Sequence, residues 1–258
     1  PLDALKKTMH GSEFVGYDTT EAEGKVIGII AQDSLCDSLT EVGHASPVTV
    51  VLDRTPFYGE SGGQVGDAGE LAWPGGRFEV VDTQREGGFM LHVGHLQEGR
   101  IDLDHTVTAR VNRARRSAVR RAHSATHLLH AALQHFLGSH AVQQGSKVDA
   151  DLLRFDFSHP SSIDAVTLAK IESMVNTHVL AAVAVAPRLL PLAEARHEGA
   201  MMLFGEKYPD VVRMVTMDGV SRELCGGTHV SSTGQIGLVR IVGEESVSAG
   251  TRRISALT

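Results

Sequence analysis

His123 and His127 stand four residues apart in a run that reads as helix, and Cys225 and His229 repeat that spacing later in the chain. An i, i+4 pair projects two imidazoles from one helix face, and Zn2+ accepts imidazole nitrogen and thiolate sulfur in tetrahedral geometry. The four residues therefore form a candidate zinc site of one cysteine and three histidines. Among 14 histidines in 258 residues, about 0.7 HxxxH pairs arise by chance, so the first pair alone says little. The second pair is rarer, at about 0.1 expected, and it lies in a glycine-rich turn, Cys225-Gly226-Gly227-Thr228-His229. The competing reading is a polar helix face and an unrelated loop.

The neighbours of these residues restrict the chemistry. A zinc peptidase places a catalytic Glu after the first histidine of HExxH, and here Ser124 occupies that position. A zinc deaminase needs HxE and CxxC, and neither surrounds these ligands. Four protein ligands also suit a closed structural site, so that alternative stands. His130 extends the histidine stripe but would overfill the site, which makes it a supporting or structural residue. His92, His95, His135, His140, His178 and His197 have no partner at ligand spacing and read as solvated or hydrogen-bonded histidines. Cys36 reads as a small core or surface residue.

Two other stretches bear on binding. Thr55 to Asp67 carries Gly59, Gly62, Gly63 and Gly66, which permit either a tight barrel corner or close approach of a ligand phosphate. It is not a Walker loop, because no Gly-Lys-Ser/Thr follows. Arg110, Arg113, Arg115, Arg116, Arg120 and Arg121 crowd the approach to the histidine pair, as a solvated basic helix face or as a phosphate-binding patch.

The elements that must position these residues change character midway. Up to residue 111 the chain reads as short strands (Lys25 to Ala31, Pro47 to Asp53, Phe78 to Asp82, Thr106 to Val111) between turn residues, as in a small β-barrel. From Asn112 a helix is expected to run to Leu137, where Gly138 supplies a stop. Its core stripe would be Ala122, Ala125, Leu129, Ala132, Leu133 and Phe136, with His123, Thr126, His127 and His130 on the adjoining stripe. A strand over Leu152 to Phe157 follows. A cap at Ser161-Ser162-Ile163-Asp164 opens a second helix towards Ala182, and a short helix spans Leu192 to Phe204. Strands at Val211 to Met217 and Ile236 to Val242 flank the CxxxH turn. The expected fold is α+β: a barrel domain over 1–111, then an α+β zinc-binding domain over 112–258.

Composition fits an ordinary globular protein, with 42% hydrophobic residues and a net charge of -7, which excludes wholesale coating of nucleic acid but not a local basic patch. Two cysteines are too few for a disulfide scaffold, and a zinc-binding thiolate needs a reducing compartment, so a cytoplasmic location is expected. No apolar run approaches a membrane span. The chain begins at Pro1 without an initiator Met, which reads as a piece cut from a longer protein.

Several strings, taken in order, resemble the editing region of the alanyl-tRNA synthetase family. They are Thr55-Pro56-Phe57-Tyr58 with Glu60-Ser61-Gly62-Gly63-Gln64, His123-Ser124-Ala125-Thr126-His127-Leu128, Leu153-Arg154-Phe155-Asp156-Phe157-Ser158, Leu203-Phe204-Gly205-Glu206-Lys207-Tyr208 and Leu224-Cys225-Gly226-Gly227-Thr228-His229. The resemblance implies a glycine-rich β-barrel followed by the editing module shared with threonyl-tRNA synthetase and free-standing trans-editing proteins. It implies zinc on His123, His127, Cys225 and His229, and hydrolysis of serine, and also glycine, from the 3′ end of tRNA(Ala). Thr126 and Gln143 match family positions at the active site. Arg113, Arg116, Arg120, Gly62 and Gly63 would then meet the phosphates of the tRNA acceptor end. The chain is too short to add a class II aminoacylation core and shows no ATP site, so charging of tRNA would belong to the remainder of a synthetase. A free-standing trans-editing homologue is the alternative within this class, and a zinc-stabilised RNA-binding module without hydrolytic activity is the alternative from another.

Overall fold

The computed structural model describes residues 2–7, 11–40, 47–202 and 207–258. It divides into two units, one comprising residues 1–61 and 65–116, the other 62–64 and 117–258. The three-residue segment Gly62–Gln64 thus belongs to the second unit, and the division between the units also falls inside a helix.

In the first unit, alternating apolar and polar residues give strands with one buried face. The strands are β1 (Glu21–Ala31), β2 (Ser34–Cys36), β3 (Val48–Leu52), β4 (Gly69–Trp73), β5 (Gly76–Glu86), β6 (Phe89–Glu98) and β7 (Thr106–Val111). Their order is β7-β4-β5-β6-β3-β1-β2, and β7 also pairs with β1, with Thr106 opposite Lys25 and Arg110 opposite Glu21. That pairing closes a six-strand barrel and leaves β2 as a flap on β1. Val26, Val50, Leu52, Leu71, Phe78, Val80, Leu96 and Ala109 point into a contiguous core, with Phe57 entering from the glycine-rich stretch. Sequence reading anticipates β1, β3, part of β5 and β7. It misses β4 and β6, where Gly69, Gly94 and charged residues break the alternation.

Two polar devices are sealed inside this unit. The Arg116 guanidinium, 1% exposed, donates to both carboxylate oxygens of Asp67 and, at 2.7 Å each, to the carbonyls of Gly16 and Pro56. Asp67 also accepts the Tyr58 backbone N–H. Such a buried pair holds only because these hydrogen bonds offset its desolvation. The second device is His92, fully buried. Its Nδ1 donates to the Val50 carbonyl (2.9 Å), so Nε2 accepts from the Thr55 hydroxyl (2.8 Å), which in turn accepts the Phe57 N–H. Burial favours the neutral ring.

The second unit contains α1 (Arg113–Leu137), β8 (Gln143–Val148), β9 (Leu153–Ser158), α2 (Ala165–Leu180), β10 (Val185–Pro191), α3 (Leu192–His197), β11 (Val211–Met217), β12 (Ser221–Leu224), β13 (Arg240–Ser248) and β14 (Thr251–Leu257). α1 itself begins in the first unit, at Arg113–Arg116. Its end is set by Gly138, whose N–H closes the last turn on the Gln134 carbonyl and whose φ of +107° turns the chain out of the helix. Ala122, Ala125, Leu128, Leu129, Ala132 and Leu133 are fully buried, whereas Phe136, expected in the core stripe, is 36% exposed in the last turn. Asp164 caps α2 by accepting the N–H groups of Val166 and Thr167. The sheets are β8-β9-β14-β13 and β10-β11-β12. α3 ends at His197, and Phe204, the expected end of that helix, lies outside the described residues, as do Leu203, Gly205 and Glu206. The last expected strand begins later, at Arg240, because Thr233–Gln235 forms a 3-10 turn. The fold is α+β with a six-strand barrel, and no helix among the described residues is long and apolar enough to cross a membrane.

Burial holds the His92 imidazolium down at about 4, against an ordinary 6.5. The unfolded chain therefore binds this proton first as the pH falls. The stability that neutral His92 contributes is complete above pH 6.5 and is lost progressively towards pH 4. Between pH 7 and pH 5 the expected loss is about 2 kcal/mol. Urea unfolding of wild type and His92→Gln at both pH values checks this: the pH-dependent drop should shrink in the variant, and parallel drops would show that His92 does not titrate on unfolding.

Candidate metal centre

All four ligand candidates lie in the second unit, and they converge. One ligand atom from each of His123, His127, Cys225 and His229 lies within 4.8 Å of every other. Cys225 Sγ is 3.4 Å from His123 Nε2 and 3.3 Å from His229 Nε2. The helix supplies the two imidazoles of α1 by its own periodicity. Cys225 and His229 come from the turn that follows β12, where Arg213 on β11 donates to the carbonyls of Cys225 (2.8 Å) and Gly227 (3.0 Å) and so sets the turn's shape.

Two of the imidazoles are also hydrogen-bonded from behind, and the third faces a carboxylate. His123 Nδ1 lies 2.8 Å from Gln64 Oε1, His229 Nδ1 lies 3.1 Å from Ser124 Oγ, and His127 Nδ1 faces Glu223 Oε1 at 3.5 Å. Outer partners of this kind fix ring orientation and leave the other nitrogen free for a metal. Ser124 Oγ also accepts the Val230 N–H (3.2 Å), tying the end of the turn to α1. Glu223 lies between His127 and His130, whose Nδ1 is 3.6 Å from Glu223 Oε2, and accepts from the Ser221 hydroxyl at 2.7 Å.

The electrostatics suit a cation at the centre. Burial pushes the Cys225 thiol up, but the neighbouring charges of His123 and His229, with hydrogen bonds from His123 and His127, outweigh it and hold the thiol well below its ordinary value. His229 is lowered to about 3 by burial and by the neighbouring His123. Burial lowers His127 too, yet the Glu223 carboxylate and Cys225 prevail and raise it to about 9. Burial would raise Glu223, but His127 and His130 hold it at about 2. The metal-free cluster thus sets a thiol and a carboxylate, both held low, beside His127, which keeps its proton. A divalent cation would supply the charge this proton now supplies and would release it. A donor set of one sulfur and three nitrogens fits Zn2+.

The other sequence-predicted residues fall in different places. Thr126 is buried on the same helix, and its hydroxyl donates to the Ala122 carbonyl at 2.9 Å. Gln143, half-buried at the start of β8, donates to Ser146 Oγ at 3.2 Å. Arg113 is exposed and donates to Thr20 Oγ1, and Arg120 is half-buried. Arg116 must be withdrawn as a phosphate contact, since Asp67 and two carbonyls enclose its guanidinium. Gly62 is exposed at φ +59° with open space around it. Gly63 has a packing reason to be glycine: a Cβ there would lie 2.5 Å from the Ser146 carbonyl oxygen. Sequence reading overlooked Gln64, Glu223 and Arg213 as supports of the site. Their only local signals were membership of the glycine-rich string for Gln64 and nearness to Cys225 for Glu223.

Comparison with known proteins places this geometry in a class. Residues 1–115 match the family model for class II tRNA synthetases (A), and residues 212–255, which include the Cys225–His229 turn, match the second additional domain of threonyl and alanyl tRNA synthetases. The chain is 51% identical to an alanine–tRNA ligase of Rhodopirellula baltica, with 100% of this chain and 28% of the relative covered. It is 48% identical to that of Thermus thermophilus, covering 100% of this chain and 30% of the relative. With that of Acidithiobacillus ferridurans it shares 50% identity over 96% of this chain and 28% of the relative. The chain belongs to the alanyl-tRNA synthetase family and includes its editing region, and it spans less than a third of the length of these relatives.

The two glycines of the turn separate cleanly. A Cβ on Gly227 would lie 2.0 Å from His123 Cε1 and 2.8 Å from Gln64 Oε1, whereas one on Gly226 meets nothing within 4 Å. Gly227→Ala should therefore weaken Zn2+ binding by about ten-fold or more, on the scale of a displaced ligand ring, and Gly226→Ala should leave it near wild type. Competition with a chromophoric chelator measures both; equal affinities would show that the close approach to His123 is relaxed at no cost.

Proposed function

We propose that this chain hydrolyses the ester joining a wrong amino acid, chiefly serine and also glycine, to the 3′ end of tRNA(Ala), at a zinc site formed by His123, His127, Cys225 and His229. The observation that carries the reading is the convergence of those four side chains, with His123 and His229 hydrogen-bonded from behind and His127 facing Glu223, in a chain of the alanyl-tRNA synthetase family. In this reading residues 1–111 are the barrel domain and 112–258 the editing domain. The partners are the acceptor end of tRNA(Ala), met by Arg113, Arg120, Gly62 and Gly63, and the rest of a synthetase that performs the ATP-dependent charging.

The need for such a site is physical. A small apolar pocket that selects alanine rejects an added hydroxyl by only about 10²-fold, so charging leaks serine. A second site that hydrogen-bonds the hydroxyl can reverse the preference, because alanine would leave its polar groups unpaired. A zinc ion bound there supplies Lewis acidity towards an ester carbonyl or a water molecule. Thr126 supplies discrimination. Its hydroxyl proton is committed to the Ala122 carbonyl, so towards substrate the oxygen acts as an acceptor for the serine hydroxyl. Gln143 contributes an amide to the aminoacyl group.

Three measurements test this. Purified protein should contain one zinc per chain, reduced in Cys225→Ala and in His127→Ala; full retention in both variants rules out the assignment. Seryl-tRNA(Ala) should be deacylated at least about ten-fold faster than alanyl-tRNA(Ala), on the scale one substrate hydroxyl can supply. Equal rates would remove the editing activity and leave a closed structural zinc site in an RNA-binding module. Thr126→Val should compress the Ser/Ala rate ratio by about 2- to 12-fold, the range of one neutral hydrogen bond, with zinc still bound. An unchanged ratio would confine Thr126 to helix packing.

A further inference from the structure

Gln64 lies in the glycine-rich string, distant in sequence from all four ligands, and it is fully buried. Its carboxamide makes three hydrogen bonds. Oε1 accepts the Thr228 backbone N–H at 2.9 Å and lies 2.8 Å from His123 Nδ1, while Nε2 donates to Thr228 Oγ1 at 3.0 Å. These contacts determine protons that coordinates alone do not show. A backbone N–H can only donate, so the amide atom facing Thr228 N must be the oxygen. An oxygen can only accept, so His123 Nδ1 must carry the ring proton. His123 Nε2 is then the nitrogen left for a metal, and it is the one facing Cys225 Sγ at 3.4 Å.

The same amide grips the turn that supplies the other two ligands. Thr228 sits between Cys225 and His229, and both its N–H and its hydroxyl are bound to Gln64. Gln64 is itself fixed through its neighbour, because the Gly63 carbonyl accepts the Val148 N–H at 2.7 Å and Gly63 packs against Ser146 too closely for a Cβ. From these contacts we propose that Gln64 is a positioning residue for the metal centre, holding His123 in the ligating tautomer and the Cys225–His229 turn in register with α1. This rests on the metal reading of the cluster. It assigns Gly63 and Gln64 a structural task at the centre.

The test uses the full 258-residue chain and Zn2+ competition with a chromophoric chelator. Gln64→Met keeps the length but removes the acceptor, and it should weaken zinc binding by about 10- to 100-fold, the usual cost of losing an outer partner of a metal-bound histidine. Gln64→Glu restores an acceptor and should recover affinity to within about three-fold, a rescue that a purely packing role would not produce. In a His123→Ala background Gln64→Met should add much less, because the ring it positions is gone. Wild-type affinity in Gln64→Met, or an equal loss in both backgrounds, overturns the proposal. If Gln64→Met does not fold, Gln64→Asn, one methylene too short to reach His123, replaces it under the same criteria. His127→Ala distinguishes the two failures: if it too keeps full affinity, the metal reading itself is wrong, and if it alone loses zinc, only the role of Gln64 is wrong.

Discussion

Gathering a thiolate and three imidazoles within 4.8 Å in a mostly buried site is the constraint on which the second unit depends. Buried donors of this kind are costly unless each is paired, and each of the three imidazoles must find a partner for the nitrogen turned away from the centre. Gln64, Ser124 and Glu223 face those three outer nitrogens. With two rings hydrogen-bonded behind and the third beside a carboxylate, the inner nitrogens converge on Cys225, and a cation is the species that reconciles the arrangement electrostatically.

Backbone geometry divides the work. The α1 periodicity aligns His123, Thr126, His127 and His130 without help from the rest of the chain, so two ligands and a hydroxyl share one helix face. The other two ligands require a turn that can bring a backbone against an imidazole ring. Gly227 permits that approach and Arg213 holds the turn through two carbonyls. Ser124 accepts the Val230 N–H and lies against His229, connecting the turn to α1 at its far end. Side chains four residues apart set the ligands, and contacts between distant residues set their aim.

What could be read in advance follows this division. The two four-residue spacings, the extent of α1, the Asp164 cap and the strand Val211–Met217 are local signals, and the structure has them where the pattern puts them. Gln64 was hidden because its partners His123 and Thr228 lie 59 and 164 residues away, and no spacing rule joins them. Arg116 was misread for the converse reason. Among neighbouring arginines on a helix nothing local marks one as buried, and its partner Asp67 is 49 residues upstream. Strands β4, β6 and β10 escaped because Gly69, Gly94 and Pro187 interrupt the alternation that identifies strands.

The central claim is that the four side chains hold one zinc ion as a set. X-ray absorption at the zinc edge of the purified protein tests it most directly, because sulfur and nitrogen scatter distinguishably. The account predicts one sulfur at about 2.3 Å and three nitrogens at about 2.0 to 2.1 Å, with imidazole multiple scattering. A first shell without sulfur, or one dominated by oxygen, would contradict it.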